Sequence, residues 1–251
     1  MKRWIWITVL TILSSSAFAG EKKRLFEEGN KLYSAGSYTE AAASYNQILS
    51  LGFASGEVYY NLGNCHYKLG ETGRAILNYE RARKWMPRDP DLAANLMMAN
   101  LKVVDQVTPL PQWFGARIVH GILNLIPYGT MIWMVLSVYW LAMIALILWL
   151  TLKKSSWRPH FLKASVALGA VFIVFTLVWF GQRGERANRV EAVILQEQVA
   201  VMSTPGGAGV EVFTLHEGVK ILVGRRSADW AEIRLADGKV GWVQSKAFEV
   251  I

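Results

Sequence analysis

The sequence predicts a multidomain protein: an all-α helical repeat, a two-helix transmembrane hairpin and a small all-β barrel. Three observations predict it. The N-terminal third matches itself at a shift of 34 residues, the signature of a stacked helix-pair repeat. Two long apolar runs, Met131–Leu152 and Phe161–Phe180, follow one another across an eight-residue polar connection. The last sixty or so residues change to short β-branched runs punctuated by glycine turns.

Composition agrees with a mixed protein. Of 251 residues 53% are hydrophobic, high for a wholly soluble chain and low for a many-span transporter. The net charge of +8 is unevenly spread. Residues 1–19 carry two basic side chains, and residues 113–182 carry five with no acidic partner. Residues 20–112 hold 11 basic and 10 acidic groups, and residues 183–251 hold nine of each. Nucleic-acid binding needs cations gathered on a folded face, so this distribution argues against it.

Residues 1–19 read as a signal peptide. Lys2 and Arg3 form a basic start, Trp4–Leu13 the apolar run, and Ala17-Phe18-Ala19 the cleavage site. An uncleaved anchor is the competing reading, and the run is short for a span.

Residues 20–107 carry the repeat with a capping helix. Gly29 aligns with Gly63, Asn30 with Asn64, Tyr33 with Tyr67, Gly36 with Gly70, Ala41 with Ala75 and Tyr45 with Tyr79. This pattern resembles the tetratricopeptide repeat (TPR), most fully in the second copy: Tyr59, Leu62, Gly63, Tyr67, Ala75, Tyr79, Ala82 and Pro87. Helix pairs pack closely where small residues stand at the crossing, which predicts Gly63 against Ala75. Gly70 is expected at the turn between helices, and Pro87 ends the second helix. The third unit starts at Pro90-Asp91 and fades after Val104, giving a capping helix over 91–104. So few units make a minimal array that leans on the membrane or a partner. Cys65, the only cysteine, is expected to pack in the core.

The resemblance implies a groove lined by the first helix of each repeat. It nominates Asn30, Tyr33, Tyr60, Asn64, Tyr67 and Lys68 as partner-binding residues for proteins or peptides. A carboxylate clamp of the chaperone-binding kind is rejected. Asn30 and Asn61 occupy its asparagine positions, but Phe26, Asp91 and Asn95 stand where cations are needed.

Residues 108–130 form a linker and interfacial segment, 131–152 the first span, 153–160 a cytoplasmic loop and 161–180 the second span. Met131–Leu152 has no charged residue, and Phe161–Phe180 has only Lys163, near one end. The absence of Asp, Glu or Arg within these runs speaks for an anchor rather than an ion pathway. Lys153, Lys154 and Arg158 in the loop favour the cytoplasm for it. A signal peptide and two spans then leave both soluble modules in the periplasm, at a bacterial inner membrane.

Residues 181–251 hold a juxtamembrane segment and the β module. Strands are expected over 199–202, 210–215, 219–223, 230–235 and 239–243, with a tight Asp237-Gly238 hairpin turn. Leu215–Gly218, Trp230–Ile233, Asp237-Gly238 and Gly241–Val243 are similar to the hallmarks of bacterial SH3-like domains. That resemblance implies a small barrel that binds peptides or cell-wall material. Trp242 is expected in its core, and Trp230 is a candidate partner-binding residue.

No chemistry-bearing motif appears. The four histidines, His66, His120, His160 and His216, lack metal-ligand spacing. Nucleophile-elbow and phosphate-loop patterns are absent too. The chain is expected to be no enzyme, with no catalytic residue, metal or cofactor.

The order of signal, short TPR array, two spans and SH3-like domain resembles the BatE family of Bacteroides-aerotolerance operon proteins. It implies a scaffold or assembly factor working with von Willebrand A-type membrane proteins and a MoxR-type ATPase in envelope stress or aerotolerance. A cell-wall-binding sensor or tether, acting on peptidoglycan through the SH3-like domain, is the alternative.

Overall fold

The computed structural model describes residues 20–110, 121, 126, 128–187, 190–206 and 209–251. The expected signal segment over 1–19 and most of the expected linker over 108–130 lie outside the described residues. The chain divides into two compact units. One combines the residues up to Pro109 with Val190–Ile251, and the other is Leu110–Arg189.

The first unit begins with helices α1 (20–34), α2 (Tyr38–Ser50), α3 (Gly56–Leu69), α4 (Thr72–Trp85) and α5 (Pro90–Asn100). Local chemistry sets their ends. Ser55 caps α3, its Oγ accepting from the Val58 N–H. Gly70 closes the same helix in the left-handed region at φ 81°. Asp89 caps α5 through the Leu92 N–H at 2.8 Å, with Pro90 in the first turn, where its missing N–H costs nothing. Pro87 follows the end of α4, as expected.

The crossing of α3 and α4 is made differently from the sequence expectation. A Cβ on Gly63 would stand 2.4 Å from the Tyr79 ring, and one on Gly29 2.7 Å from the Tyr45 ring. The glycines therefore receive a tyrosine ring, not Ala75. Both rings are fully buried, so the ring fills the crossing instead of the space beside it.

The same unit continues in strands β1 (Val190–Ile194), β2 (Gln198–Met202), β3 (Glu211–His216), β4 (Lys220–Ser227), β5 (Trp230–Arg234), β6 (Val240–Gln244) and β7 (Phe248–Val250). They form one antiparallel sheet in the order β3-β2-β6-β5-β4-β1-β7. Five strands match the expected ones to within a few residues. The sequence reading missed β1 and β7. Ala192, Val193 and Ile194 of β1 are all buried, so no alternation announces that strand, and β7 has only three residues. Gly238 supplies the positive φ (91°) of the β5–β6 hairpin.

Helices and sheet are not separate modules. One hydrophobic core runs from Ala75, Ile76, Tyr79, Leu92 and Leu96 into Val193, Ile194, Val219, Ile221 and Ile233. The array thus leans on its own C-terminal sheet. Contact is close enough that a Cβ on Gly73 would lie 2.8 Å from the Ile194 carbonyl oxygen. A Cβ on Gly218 would lie 2.8 Å from Val103 and 3.0 Å from Ile76. Polar groups close the rim. Glu217 accepts from the Gly73 N–H at 3.0 Å, doing for the α4 N-terminus what Glu71 does not. Arg81 donates to Glu249 and to the Val250 carbonyl, each at 2.7 Å. Asp105 accepts from the His216 N–H at 2.6 Å.

The second unit is an antiparallel helical hairpin, α6 (Tyr128–Thr151) and α7 (Arg158–Ala187). Both helices are long and apolar enough to cross a membrane, with mean hydropathy of 2.4 and 2.3. They extend beyond the predicted runs, and Arg158, expected in the loop, starts α7. At about 1.5 Å per residue, α6 exceeds a ~30 Å hydrocarbon layer. Two of its hydroxyls bond backwards within the helix, Ser137 to the Trp133 carbonyl and Thr151 to that of Ile147, each at 2.8 Å. Aromatic rings and cations mark the ends. Tyr128 stacks on Trp179 at 6.0 Å with Arg183 nearby, and Arg158 lies 5.4 Å from the Trp149 ring centre.

Candidate functional site

The first helices of the repeats place their polar residues on one face, and the structure uses much of that polarity internally. Tyr45 Oη donates to Asn30 Oδ1 at 2.7 Å, and Tyr79 Oη to Asn64 Oδ1 at 2.8 Å. Asn61 Nδ2 donates to Asn30 Oδ1 at 3.3 Å, and Asn95 Nδ2 to Asn64 Oδ1 at 3.0 Å. The sequence period of 34 thus reappears as a repeated hydrogen-bond pattern. Each asparagine carbonyl takes two donors, joining a second helix and the next first helix to its own. Burial is the main reason Tyr45 is pushed up to about 12 and Tyr79 higher still, so both hydroxyls stay protonated donors.

Above this ladder lies a cleft of about 260 Å³ lined by Tyr33, Asn64, Tyr67, Lys68, Tyr79, Asn95 and Met98. Tyr33, Asn64, Tyr67 and Lys68 are four of the six residues nominated from sequence. Asn30 and Tyr60 do not line it; Tyr60 Oη instead accepts from Asn95 Nδ2 at 2.9 Å. Sequence reasoning missed Tyr79, Asn95 and Met98. Asn95 could have been found, since it repeats Asn61 at the 34-residue period. The Lys102 ammonium sits 3.8 Å from the Tyr67 ring centre, a cation–π contact at the rim. The lining contains a cation, three phenol rings and amides, and no carboxylate. Such a surface can stack on side chains and hydrogen-bond a peptide backbone.

Asn30 and Asn61, at the clamp positions, are bonded to each other. Cys65 is fully buried, and burial raises its thiol to about 11. His66 Nδ1 lies 2.6 Å from Glu71 Oε2. Burial pulls its pKa below the usual value, with Glu71 opposing.

On the sheet, Gly241 and Val243 point into the core, which turns Trp242 to the opposite face. The expectation that Trp242 fills the core is corrected: alternation along β6 leaves it half-buried on the outer face. It stands across from Met202 on β2 and Glu232 on β5. Trp230, also half-buried, shares that face. Arg225 holds Glu232 by two bonds of 3.0 and 2.9 Å beside it. Among the described residues, no three His, Cys, Asp or Glu side chains are grouped to hold a metal ion.

Residues 56–89, covering α3, α4 and the turn after them, match the tetratricopeptide repeat family. A comparison with curated proteins finds no match.

Proposed function

We propose that this chain is a membrane-anchored scaffold that holds a protein partner in the cleft between α3 and α5. The TPR match supports protein–protein interaction as the general activity. The cleft itself carries the reading, with Tyr33, Tyr67 and Lys68 open to a ligand while the asparagine ladder beneath them fixes its shape. Nothing in that lining is arranged for bond making or breaking, so the activity proposed is binding rather than catalysis.

The shared core bears on topology. Segments on both sides of the hairpin must meet to form one folded unit, so both lie in the same compartment. With an N-terminal signal, that compartment is the periplasm of a bacterial inner membrane. The order of elements around the hairpin favours an assembly role beside von Willebrand A-type membrane proteins and a MoxR-type ATPase, in envelope stress or aerotolerance.

Photo-crosslinking from position 67 of the full-length protein in its native membrane tests the scaffold. A discrete partner whose crosslink disappears in Lys68→Glu supports it. The same bystanders captured with and without that substitution refute it. Lys68 is the better probe because Asn64 also holds the fold together.

A second reading has its own observation. Trp242 and Trp230 face outward, giving the SH3-like sheet an aromatic surface suited to cell-wall material such as peptidoglycan. Co-sedimentation of the detergent-solubilised full chain with purified sacculi, lost in Trp242→Ala, would favour a tether. Absence of sedimentation removes that reading.

A further inference from the structure

The cleft has a charge pattern that docking by itself does not require. The 34-residue register that aligns Tyr33 with Tyr67 also aligns Lys68 with Lys102. Lys68 stands in the last turn of α3 and lines the cleft. Lys102 follows α5, where the chain is still turning and its N–H donates to the Ala99 carbonyl at 3.0 Å. Its ammonium lies over the Tyr67 ring, so both cations sit at the same end of the cleft. Both lysines are exposed, and among the described residues neither is paired with a carboxylate.

The acidic groups stand elsewhere or are already held. Glu57 and Asp91, again one period apart, open α3 and α5 eleven residues before the two lysines. That is about 16 Å along the helix axes. Glu71 lies against His66 and Arg74, and Asp105 against His216. A lysine in a last turn complements the helix dipole, which accounts for part of Lys68. It does not account for Lys102, whose ammonium is turned onto a ring of the neighbouring α3.

The amides of the cleft add a second observation. Asn64 Oδ1 and Asn95 Nδ2 are used within the fold, on Tyr79, Tyr60 and each other. Asn64 Nδ2 and Asn95 Oδ1 bond to no described residue, which leaves one donor and one acceptor at the cleft. An extended main chain offers one of each per residue.

We infer that the cleft takes an acidic segment of a protein partner, with Asp or Glu side chains on Lys68 and Lys102 and a neighbouring apolar side chain against Tyr33 and Met98, which rests on the scaffold reading and narrows it to one class of ligand. The carboxylates are side chains, so no chain terminus is needed and the rejected clamp positions play no part. Exposed ion pairs are individually weak, and two together are worth roughly a two- to thirty-fold change in affinity. At the rim they select and orient a segment that the rings and amides hold.

The test identifies the segment the cleft holds. Full-length protein with a photoreactive side chain at position 98, exposed and outside the asparagine ladder, is irradiated in its native membrane. The captured peptide is then sequenced by mass spectrometry, and Asp or Glu residues should flank the captured site. Lys68→Gln with Lys102→Gln should lower capture at least about two-fold. Lys68→Arg with Lys102→Arg should retain it, because charge is what the pair supplies. Capture by the unsubstituted protein should fall as salt is raised. A discrete partner whose captured segment is neutral or basic, or whose capture is unchanged in the double glutamine variant, overturns this inference and leaves the scaffold standing. Phospholipid captured at position 98 in place of protein also overturns it. Bystanders alone, from positions 67 and 98 alike, remove the scaffold and this inference with it.

Discussion

Ile76→Ala probes whether the repeat and the sheet are one folding unit. Ile76 is 1% exposed on α4, and its Cδ1 closes on the Gly218 turn of the sheet. Removing three buried carbons there costs about 2–5 kcal/mol, because a tightly packed wall collapses only partly into the cavity. At about 1.4 kcal/mol per factor of ten, the slowest amides should exchange roughly thirty- to several-thousand-fold faster. Hydrogen exchange by mass spectrometry on the detergent-solubilised full chain reads this segment by segment. Acceleration is expected in α4 and α5 and equally in β1 and β4. If only the helices accelerate while the strands keep wild-type protection, the shared core does not act cooperatively and the reasoning fails.

Gly63→Ala should lower stability by about 1–3 kcal/mol through overpacking against the Tyr79 ring. Gly20→Ala, with open space around it, should be near neutral; equal melting temperatures for the two would count against the crossing described. His66 is depressed by burial, so the unfolded chain binds its proton more readily than the folded one. Its contribution to stability is therefore present above the ordinary value of 6.5 and is lost as pH falls through the folded value. Denaturant titrations from pH 8 to about 5 should show that fall, and His66→Gln should flatten it; an unchanged slope would remove His66 as the cause. Cys65, buried with its thiol raised to about 11, should resist maleimide in the native state and react on unfolding. Rapid native labelling would contradict its burial.

Much of the chain was legible because the signals were local and periodic. The 34-residue register marked the helix pairs, Gly70 and Pro87 marked their ends, and long apolar runs without acidic residues marked the hairpin. Asp237-Gly238 marked a hairpin turn for the same reason: the residue types that permit its backbone are few. The cleft was half legible. Tyr33, Asn64, Tyr67 and Lys68 followed from their place on the first helices. Tyr79 and Met98 enter it through helix packing, which no spacing reports. Trp242 was misplaced because the hallmark around it names a strand but not which face of that strand is inward. Only the burial of Gly241 and Val243 against the rest of the sheet decides that.

Sequence alone determined the repeat helices, the apolar rods and five of the seven strands, since each depends on a period of a few residues. It could not show that residues before the hairpin and after it share a core. That rests on contacts between α4 and the strands and turns of a sheet more than a hundred residues away, such as Gly73 with Glu217 and Arg81 with Glu249. Long-range apolar surfaces carry no periodic mark of their partners; they become partners only when both are folded and neither has water left between them.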